Sequence, residues 1–234
     1  MVRATPEAYT MGVSWWRSLL GPTTPPPRFF ELAARAGFPR QAPYGYPFEH
    51  QGMIAQLCYF PSSNGLNSEF RLQVNLPCDL TIMPRSEGAK IGGGYSFDRD
   101  FDRRFAVYGT PGNGLAVMSS ELRALLKRLG IAWFHDGVLS IEFEHDRHGD
   151  EVLSIAFKLA QLLRSPDQAK QLAERARWDP VPEVRRQAVI WFFREHLQHP
   201  LGIEVLRWAE RDPSPMVQLA AVRSCADVPR AAKV

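Results

Sequence analysis

The chain has 234 residues, of which 45% are hydrophobic and 23% are charged, and this balance is typical of a globular protein with its own core. A net charge of +3 is too small to indicate a nucleic acid or an anionic membrane as a partner by itself. Three cysteines without a CxxC pair exclude a disulfide framework and a zinc knuckle, and they favour reduced thiols.

Residues 1–28 are predicted to form a leader with little regular structure. Its end, "GPTTPPPR", favours an extended segment because proline cannot continue a helix. The leader lacks the basic cluster of a signal peptide, and no stretch of the chain reaches the roughly 18 apolar residues of a membrane span. We therefore expect a cytoplasmic protein. Trp15 and Trp16 are expected to dock on the body of the protein, and contact with a partner or a membrane surface is the alternative.

An α+β domain is predicted over residues 29–164, beginning with a short helix in "RFFELAARAGF". Two strand-like runs follow, at 53–60 and 69–76, with a turn between them. Further strands are predicted in "DLTIMP" and "FAVYGT", and the following "PGNG" is interpreted as a turn.

The second half of this domain carries the clearest helix, "SSELRALLKRLG", with Ser119 or Ser120 as its cap and Gly130 as its end. A hairpin is predicted around the "DG" pair of "IAWFHDGVLSIEFEHD", followed by a helix over 150–164. This order of elements favours an antiparallel sheet with covering helices.

The rest of the chain, 165–234, contains an internal repeat and is predicted to be all-α. "DPVPEVRRQAV" begins at Asp179 and "DPSPMVQLAAV" begins 33 residues later at Asp212, with six of eleven positions identical. The aspartate can cap the coming helix, and proline in the first turn removes only an unpaired N–H. The positions expected to point inward are Val184, Ala188 and Ile190. The polar positions expected to lie away from this seam are Arg185, Arg186 and Gln187.

Four helices are predicted in this segment, at 167–177, 182–196, 201–211 and 215–226. A helical-repeat array needs about three repeats to be stable alone. We therefore expect this short array to pack against the helix at 150–164, or to be one module of a larger assembly.

These residues resemble the short bacterial HEAT-like helical repeat, over about 167–227. Its helix opens with an aspartate, a Val-Arg pair and an alanine, matched here by Asp179, Val184, Arg185 and Ala188. The resemblance implies that the arginine pairs with an acidic residue of a neighbouring unit. The second copy departs from the pattern because it has Gln218 at the arginine position. The resemblance implies a fold and says little about function.

The N-terminal part is similar to an uncharacterised bacterial α+β domain. The similarity rests on "GGGYSFDRDFDRRFAVYG", on the helix "SELRALL" and on the strand "DGVLSIEF". It includes an FDxxF-x-V-x-G element, and no chemistry follows from it. The matching residues are Phe101, Asp102, Phe105, Val107 and Gly109.

A dense polar stretch, "FEHDRHGDE", is predicted to be a loop between a strand and a helix. Imidazole and carboxylate groups suit zinc or manganese, so His145, His148 and Asp150 are weak candidates for metal ligands. The helical HExxH spacing is absent, and a solvated loop with Asp150 as a helix cap is the favoured interpretation.

The sequence favours a non-enzymatic protein-interaction or scaffold module that presents a helical-repeat surface and needs no cofactor. Its expected partner is another protein, within a larger assembly, and the oligomeric state stays open. Two alternatives remain: a nucleic-acid-binding HEAT-like protein, which the interleaved acidic residues disfavour, and a metal-dependent enzyme using the loop at 145–150. The candidate partner-binding residues are Arg186, Gln218, Arg194, Trp15 and Trp16.

Overall fold

The computed structural model contains both α-helices and antiparallel β-strands, as expected for an α+β chain. The predicted leader, with Trp15 and Trp16, lies almost wholly outside the described residues. Within the described part of the chain, no helix combines the length and apolar character needed to cross a membrane. The described residues are 25, 27–38, 48–50, 53–59, 68–73, 79–85, 96–130, 132–164 and 167–227.

The chain divides into two compact units, each assembled from two separate segments. The first comprises Met1–Gln73 and Ser140–Ala156, and the second comprises Val74–Leu139 and Phe157–Val234. The organisation predicted from the sequence (1–28, 29–164 and 165–234) follows the chain in order and stays a prediction.

The first unit contains helix α1 (Pro27–Arg35) and an antiparallel ribbon of β1 (Phe48–His50), β2 (Met53–Tyr59) and β3 (Ser68–Gln73). Phe29 and Leu32 of α1 are buried, as the helical spacing predicts. The unit also contains most of β7 (Val138–Phe143) and the first part of α5 (His145–Leu163).

Helix α5 begins about one turn earlier than the predicted helix, which changes the interpretation of its polar start. Gly149 permits the close approach of α1 there, because a Cβ on it would lie 2.5 Å from Cδ2 of Leu32. The predicted loop over "FEHDRHGDE" is therefore wrong from His145 onward, since those residues already form the helix.

The second unit contains three antiparallel strands in the order β6 (Ala132–His135), β4 (Thr81–Pro84), β5 (Phe105–Tyr108). The predicted turn after β6 is confirmed, with positive φ at both Asp136 and Gly137. Helices α2 (Arg99–Asp102) and α4 (Ser120–Leu129) also belong to this unit. The Ser119 hydroxyl caps α4 by accepting from the Leu122 N–H at 2.9 Å.

The FDxxF-x-V-x-G element has a packing explanation. The rings of Phe101 and Phe105 stack with centroids 4.9 Å apart, and Val107 is buried in β5. Gly109 has φ +130°, and a Cβ there would collide with the carbonyl oxygen of Asp79. A larger residue at position 109 would therefore be both strained and sterically blocked.

The turn predicted at "PGNG" is wrong, because these residues start helix α3 (Pro111–Val117). Pro111 occupies the first turn, where a missing N–H is harmless, and Thr110 takes the N-cap position. Gly112 is buried, and a Cβ on it would lie 2.5 Å from the carboxylate of Glu195, so a larger residue here requires that side chain to move. Gly112 thus serves close packing here instead of a turn.

The helices predicted in the repeat segment are confirmed to within two residues. They are α6 (Gln168–Trp178), α7 (Pro182–Glu195), α8 (Gly202–Glu210) and α9 (Pro215–Asp227). Their shared core also includes Leu115 and Ala116 of α3, which packs on α6 and α7. The predicted support by the helix at 150–164 stays a prediction.

Candidate functional site

A buried arginine connects α4 to the start of the repeat. Arg123 is only 2% exposed, and its Nη2 lies 2.9 Å from both carboxylate oxygens of the fully buried Asp179. Its Nε donates to Asp98 at 3.0 Å and its Nη1 donates to the Met118 carbonyl at 2.6 Å. Each nitrogen therefore has an acceptor, which is what a buried guanidinium requires.

The repeated aspartates form turns ahead of the helices and do not cap them directly. Asp179 accepts from the Val181 N–H at 3.0 Å, and Asp212 accepts from the Ser214 N–H at 2.8 Å. The N-cap residue of α7 is Val181, which has no side-chain hydrogen bond. The capping role predicted for Asp179 is therefore wrong, and its carboxylate instead holds the turn and receives Arg123.

A second buried pair repeats this arrangement one unit later. Arg185 donates from Nε and Nη2 to Asp212 at 2.7 and 2.9 Å, and from Nη1 to the Asp179 carbonyl at 2.8 Å. The prediction that Arg185 lies away from the seam is wrong, because its guanidinium joins two aspartate turns and is buried between them. We call Arg123, Asp179, Arg185 and Asp212 the arginine–aspartate ladder.

Charge and burial oppose each other at Asp212. Burial alone would raise the pKa of its carboxyl, but hydrogen bonds from Arg185 and from the Ser214 N–H outweigh this effect and hold the pKa below its usual range. The hydrogen bond to Asp212 correspondingly raises the pKa of Arg185. Both groups are therefore charged at neutral pH, and the pair contributes to holding α7 against the start of α9.

The ladder ends at Gln218, which occupies the position equivalent to Arg185. Its Nε2 donates to the Asp212 carbonyl at 2.7 Å, the same backbone contact that Arg185 makes with Asp179. Gln218 therefore keeps the hydrogen bond to the backbone of its own unit. Because its amide carries no charge, it lacks the cation that would pair with the aspartate of a further unit.

Three of the candidate partner-binding residues, Arg186, Arg194 and Gln218, are described by the structure, while Trp15 and Trp16 lie outside the described residues. Arg186 is held by Glu183, with Nη2 to Oε1 at 2.7 Å and Nε to Oε2 at 2.9 Å. This hydrogen bond lowers the pKa of Glu183. The Arg194 guanidinium lies 4.6 Å from the ring centroid of Trp191, and Gln218 is exposed on α9. Arg186 and Arg194 thus have structural contacts of their own.

The weak metal candidates lie on α5. Asp150 was predicted to cap a helix, but it lies inside α5 and forms an ion pair with Arg35 at 2.9 Å. His148 is exposed, while the side chain of His145 lies outside the described residues. Across the described ranges, no three His, Cys, Asp or Glu side chains are grouped so that they could hold a metal ion.

The outer side of α9 exposes three apolar side chains. Met216 and Leu219 are each 50% exposed and Val222 is 64% exposed, and their spacing of three places them along one side of the helix. We define the α9 outer face as Met216, Gln218, Leu219 and Val222.

Comparison of the two copies explains why this face is unusual. The positions equivalent to Met216 and Leu219 are Glu183 and Arg186, which form an ion pair on α7. The position equivalent to Val222 is Val189, which is fully buried in the core where α9 packs on α7. The second copy therefore places apolar side chains where the first has charges, and leaves exposed a valine that the first copy buries.

This face was missed from the sequence, although a signal existed. "PMVQLAAV" is apolar on nearly every side, and aligning it with "PEVRRQAV" shows charge-to-apolar changes at two positions. A second missed feature is Arg177, whose guanidinium lies 4.3 Å from the ring of Trp178 and 4.5 Å from the ring of Trp208. No pattern in the sequence around Arg177 indicates that it contacts two tryptophan rings.

Comparisons with known proteins identify no relative of this chain, so the site is interpreted from its geometry alone. The chain matches no protein-family model, and neither curated proteins nor solved structures gave a significant match.

Proposed function

We propose that this chain is a non-enzymatic protein-interaction module whose helical segment is a short HEAT-like array. The 33-residue repeat and the arginine–aspartate ladder support the repeat assignment, because the ladder connects equivalent turns of successive units. The α9 outer face is the proposed binding surface.

The observation that carries this proposal is the replacement of the Glu183–Arg186 ion pair by Met216 and Leu219. Exposed methionine and leucine gain nothing from contact with water, and a large exposed apolar patch on a helix is normally covered by another surface. An apolar stripe there favours the binding of another protein surface, which would remove it from water.

Photo-crosslinking in living cells tests the proposal. A photoreactive amino acid is placed at Leu219 in one variant and at Ile203 in the other, since Ile203 is also apolar and exposed (56%) but lies on α8. We expect a discrete crosslinked protein with the probe at 219 and none at 203. Absence of a product at 219, or equal products at both positions, would contradict the proposal.

A further inference from the structure

A surface cleft of about 320 Å³ lies between the end of α2 and the last turn of α4. It is lined by one acidic and three basic residues, which are Asp100, Arg103, Arg104 and Lys127. At neutral pH these side chains carry one negative and three positive charges. The cleft is therefore a concentrated positive site within the second unit.

The backbone that carries Arg103 and Arg104 is held in place by the core. Phe101 and Phe105 flank the two arginines in the sequence, and their buried rings stack on each other. The N–H of Arg104 donates to the Phe101 carbonyl at 2.9 Å, and the Arg104 carbonyl accepts from the Arg85 N–H at 2.7 Å. Binding of a ligand by these arginines therefore needs little ordering of the backbone, which lowers its entropic cost.

A buried ion pair connects the Lys127 side of the cleft to the arginine side. Nε of Arg123 donates at 3.0 Å to Asp98, which is the N-cap residue of α2. Lys127 follows Arg123 by four residues, so the two lie one turn apart on the same side of α4. The fold therefore brings the ammonium-bearing turn of α4 to the end of α2.

The positive charges of the cleft are only partly neutralised. Nη1 of Arg103 lies 3.5 Å from Oδ1 of Asp100, and the two side chains are 76% and 79% exposed, so this ion pair is weak. Within the part of the chain that the structure describes, no hydrogen bond or ion pair involves the side chain of Arg104 or Lys127. By contrast, the arginines of the ladder each bind an aspartate.

We infer that this cleft binds the phosphate group of a small phosphomonoester, a role that goes beyond the proposed function and does not depend on the α9 outer face. A phosphomonoester carries a charge of about −1.5 to −2 at pH 7, which matches the excess of two positive charges in the cleft. A carboxylate would neutralise only half of this excess. The N–H fork of an arginine fits two phosphate oxygens, and the lysine ammonium adds a point charge. The volume is near the lower limit of about 300 Å³ for small-molecule sites, which suits a compact ligand.

Isothermal titration calorimetry of the purified full chain with glycerol phosphate, at constant ionic strength, tests the inference. We expect saturable binding with a Kd below about 1 mM, and binding of acetate at least about tenfold weaker. Arg104→Gln should weaken the binding of glycerol phosphate by at least about tenfold, because it removes a charged hydrogen-bond donor. Arg207→Gln is the matched control, since it removes the same charge from an exposed position on α8 and should bind like the wild type.

Asp100→Asn is the most informative variant, because it removes the negative charge of the cleft. It should tighten the binding of glycerol phosphate by about two- to fivefold, a gain that damage to the fold would not produce. The inference is overturned by a wild-type Kd above about 1 mM, by equal binding of acetate, by equal effects of the two arginine variants, or by unchanged or weaker binding in Asp100→Asn. Flotation with vesicles that contain phosphatidic acid distinguishes a lipid headgroup, and binding to these vesicles without binding to glycerol phosphate also overturns it.

Discussion

Arg123 and Asp179 form a fully buried ion pair across 56 residues of sequence, with Nη2 2.9 Å from both carboxylate oxygens. Arg185 and Asp212 form the equivalent pair one unit later. Arg123 belongs to α4, outside the repeat, yet it supplies the cation that a preceding repeat would supply. On the proposed repeat assignment, α4 therefore takes the place of a preceding unit for the helices that follow.

Removing the starting cation should destabilise the second unit strongly. Arg123→Met leaves Asp179 buried without its partner, and we expect the free energy of unfolding to fall by about 3–5 kcal/mol. Arg103→Met is the control, because Arg103 forms an exposed pair with Asp100 and should change stability by less than about 1 kcal/mol. Chemical denaturation followed by circular dichroism measures both, and equal effects would refute the structural role of Arg123.

The Arg185–Asp212 pair should make stability depend on pH. The pKa of Asp212 is lower in the folded than in the unfolded chain, so the pair stabilises above the unfolded value of about 3.8 and loses this effect as pH falls through the folded pKa. Asp212→Asn keeps an acceptor for the Ser214 N–H and removes the charge together with one of the two oxygens that accept from Arg185. We expect its deficit relative to wild type, about 1.5–3 kcal/mol at pH 7, to shrink on acidification. A deficit independent of pH contradicts the assignment.

Asp102 should behave in the opposite sense. Burial raises the pKa of its carboxyl despite a hydrogen bond from the Ser96 hydroxyl and the nearby arginines Arg85 and Arg123. Its ionised form therefore destabilises the folded state as pH rises through the folded pKa. Asp102→Asn should be at least as stable as wild type at pH 7, with its advantage declining toward pH 3.5. Denaturation across this range tests the sign, and a loss of stability at pH 7 would show that the charge is needed.

The contact between α3 and α7 can be tested at Gly112. Alanine is favoured over glycine in a helix by about 1 kcal/mol, but a Cβ at position 112 lies 2.5 Å from the Glu195 carboxylate, which accepts from Gln168. We expect Gly112→Ala to be less favourable in wild type than with Glu195→Ala, by about 1 kcal/mol of coupling. A double-mutant cycle from thermal or chemical denaturation provides the value, and additive changes would argue against this close contact.

Local signals in the sequence located the repeat helices well. Prolines at the first turns, small residues at the seam and the 33-residue register predicted α6 to α9 to within two residues. The ion pair of Arg123 was not predictable in this way, since its partner lies far along the chain and an arginine within a leucine-rich helix ordinarily indicates a solvated position. Helix α3 was missed because "PGNG" has turn composition, and only tertiary packing against Glu195 gives Gly112 its role.

The candidate site was predictable only in part for the same reason. The sequence identifies Arg186 and Gln218 as polar positions on the repeat. The more informative observation is that Arg186 is replaced by Leu219 in the second copy, and that Gln218 replaces Arg185 of the first. The exposure of Val222 depends on which elements pack against α9, and the local sequence does not predict that packing. Alignment of the two copies position by position would have identified Met216 and Leu219.

Affinity capture from the organism that encodes the chain tests the central claim, that the α9 outer face binds protein. Tagged wild type, Leu219→Glu and Ile203→Glu are expressed at native level, and captured proteins are quantified by mass spectrometry, with copies of the chain itself distinguished by a second tag. The account predicts that wild type and Ile203→Glu retain the same specific partner, whether a second copy or another protein, and that Leu219→Glu loses it. Equal capture by all three variants would contradict the account.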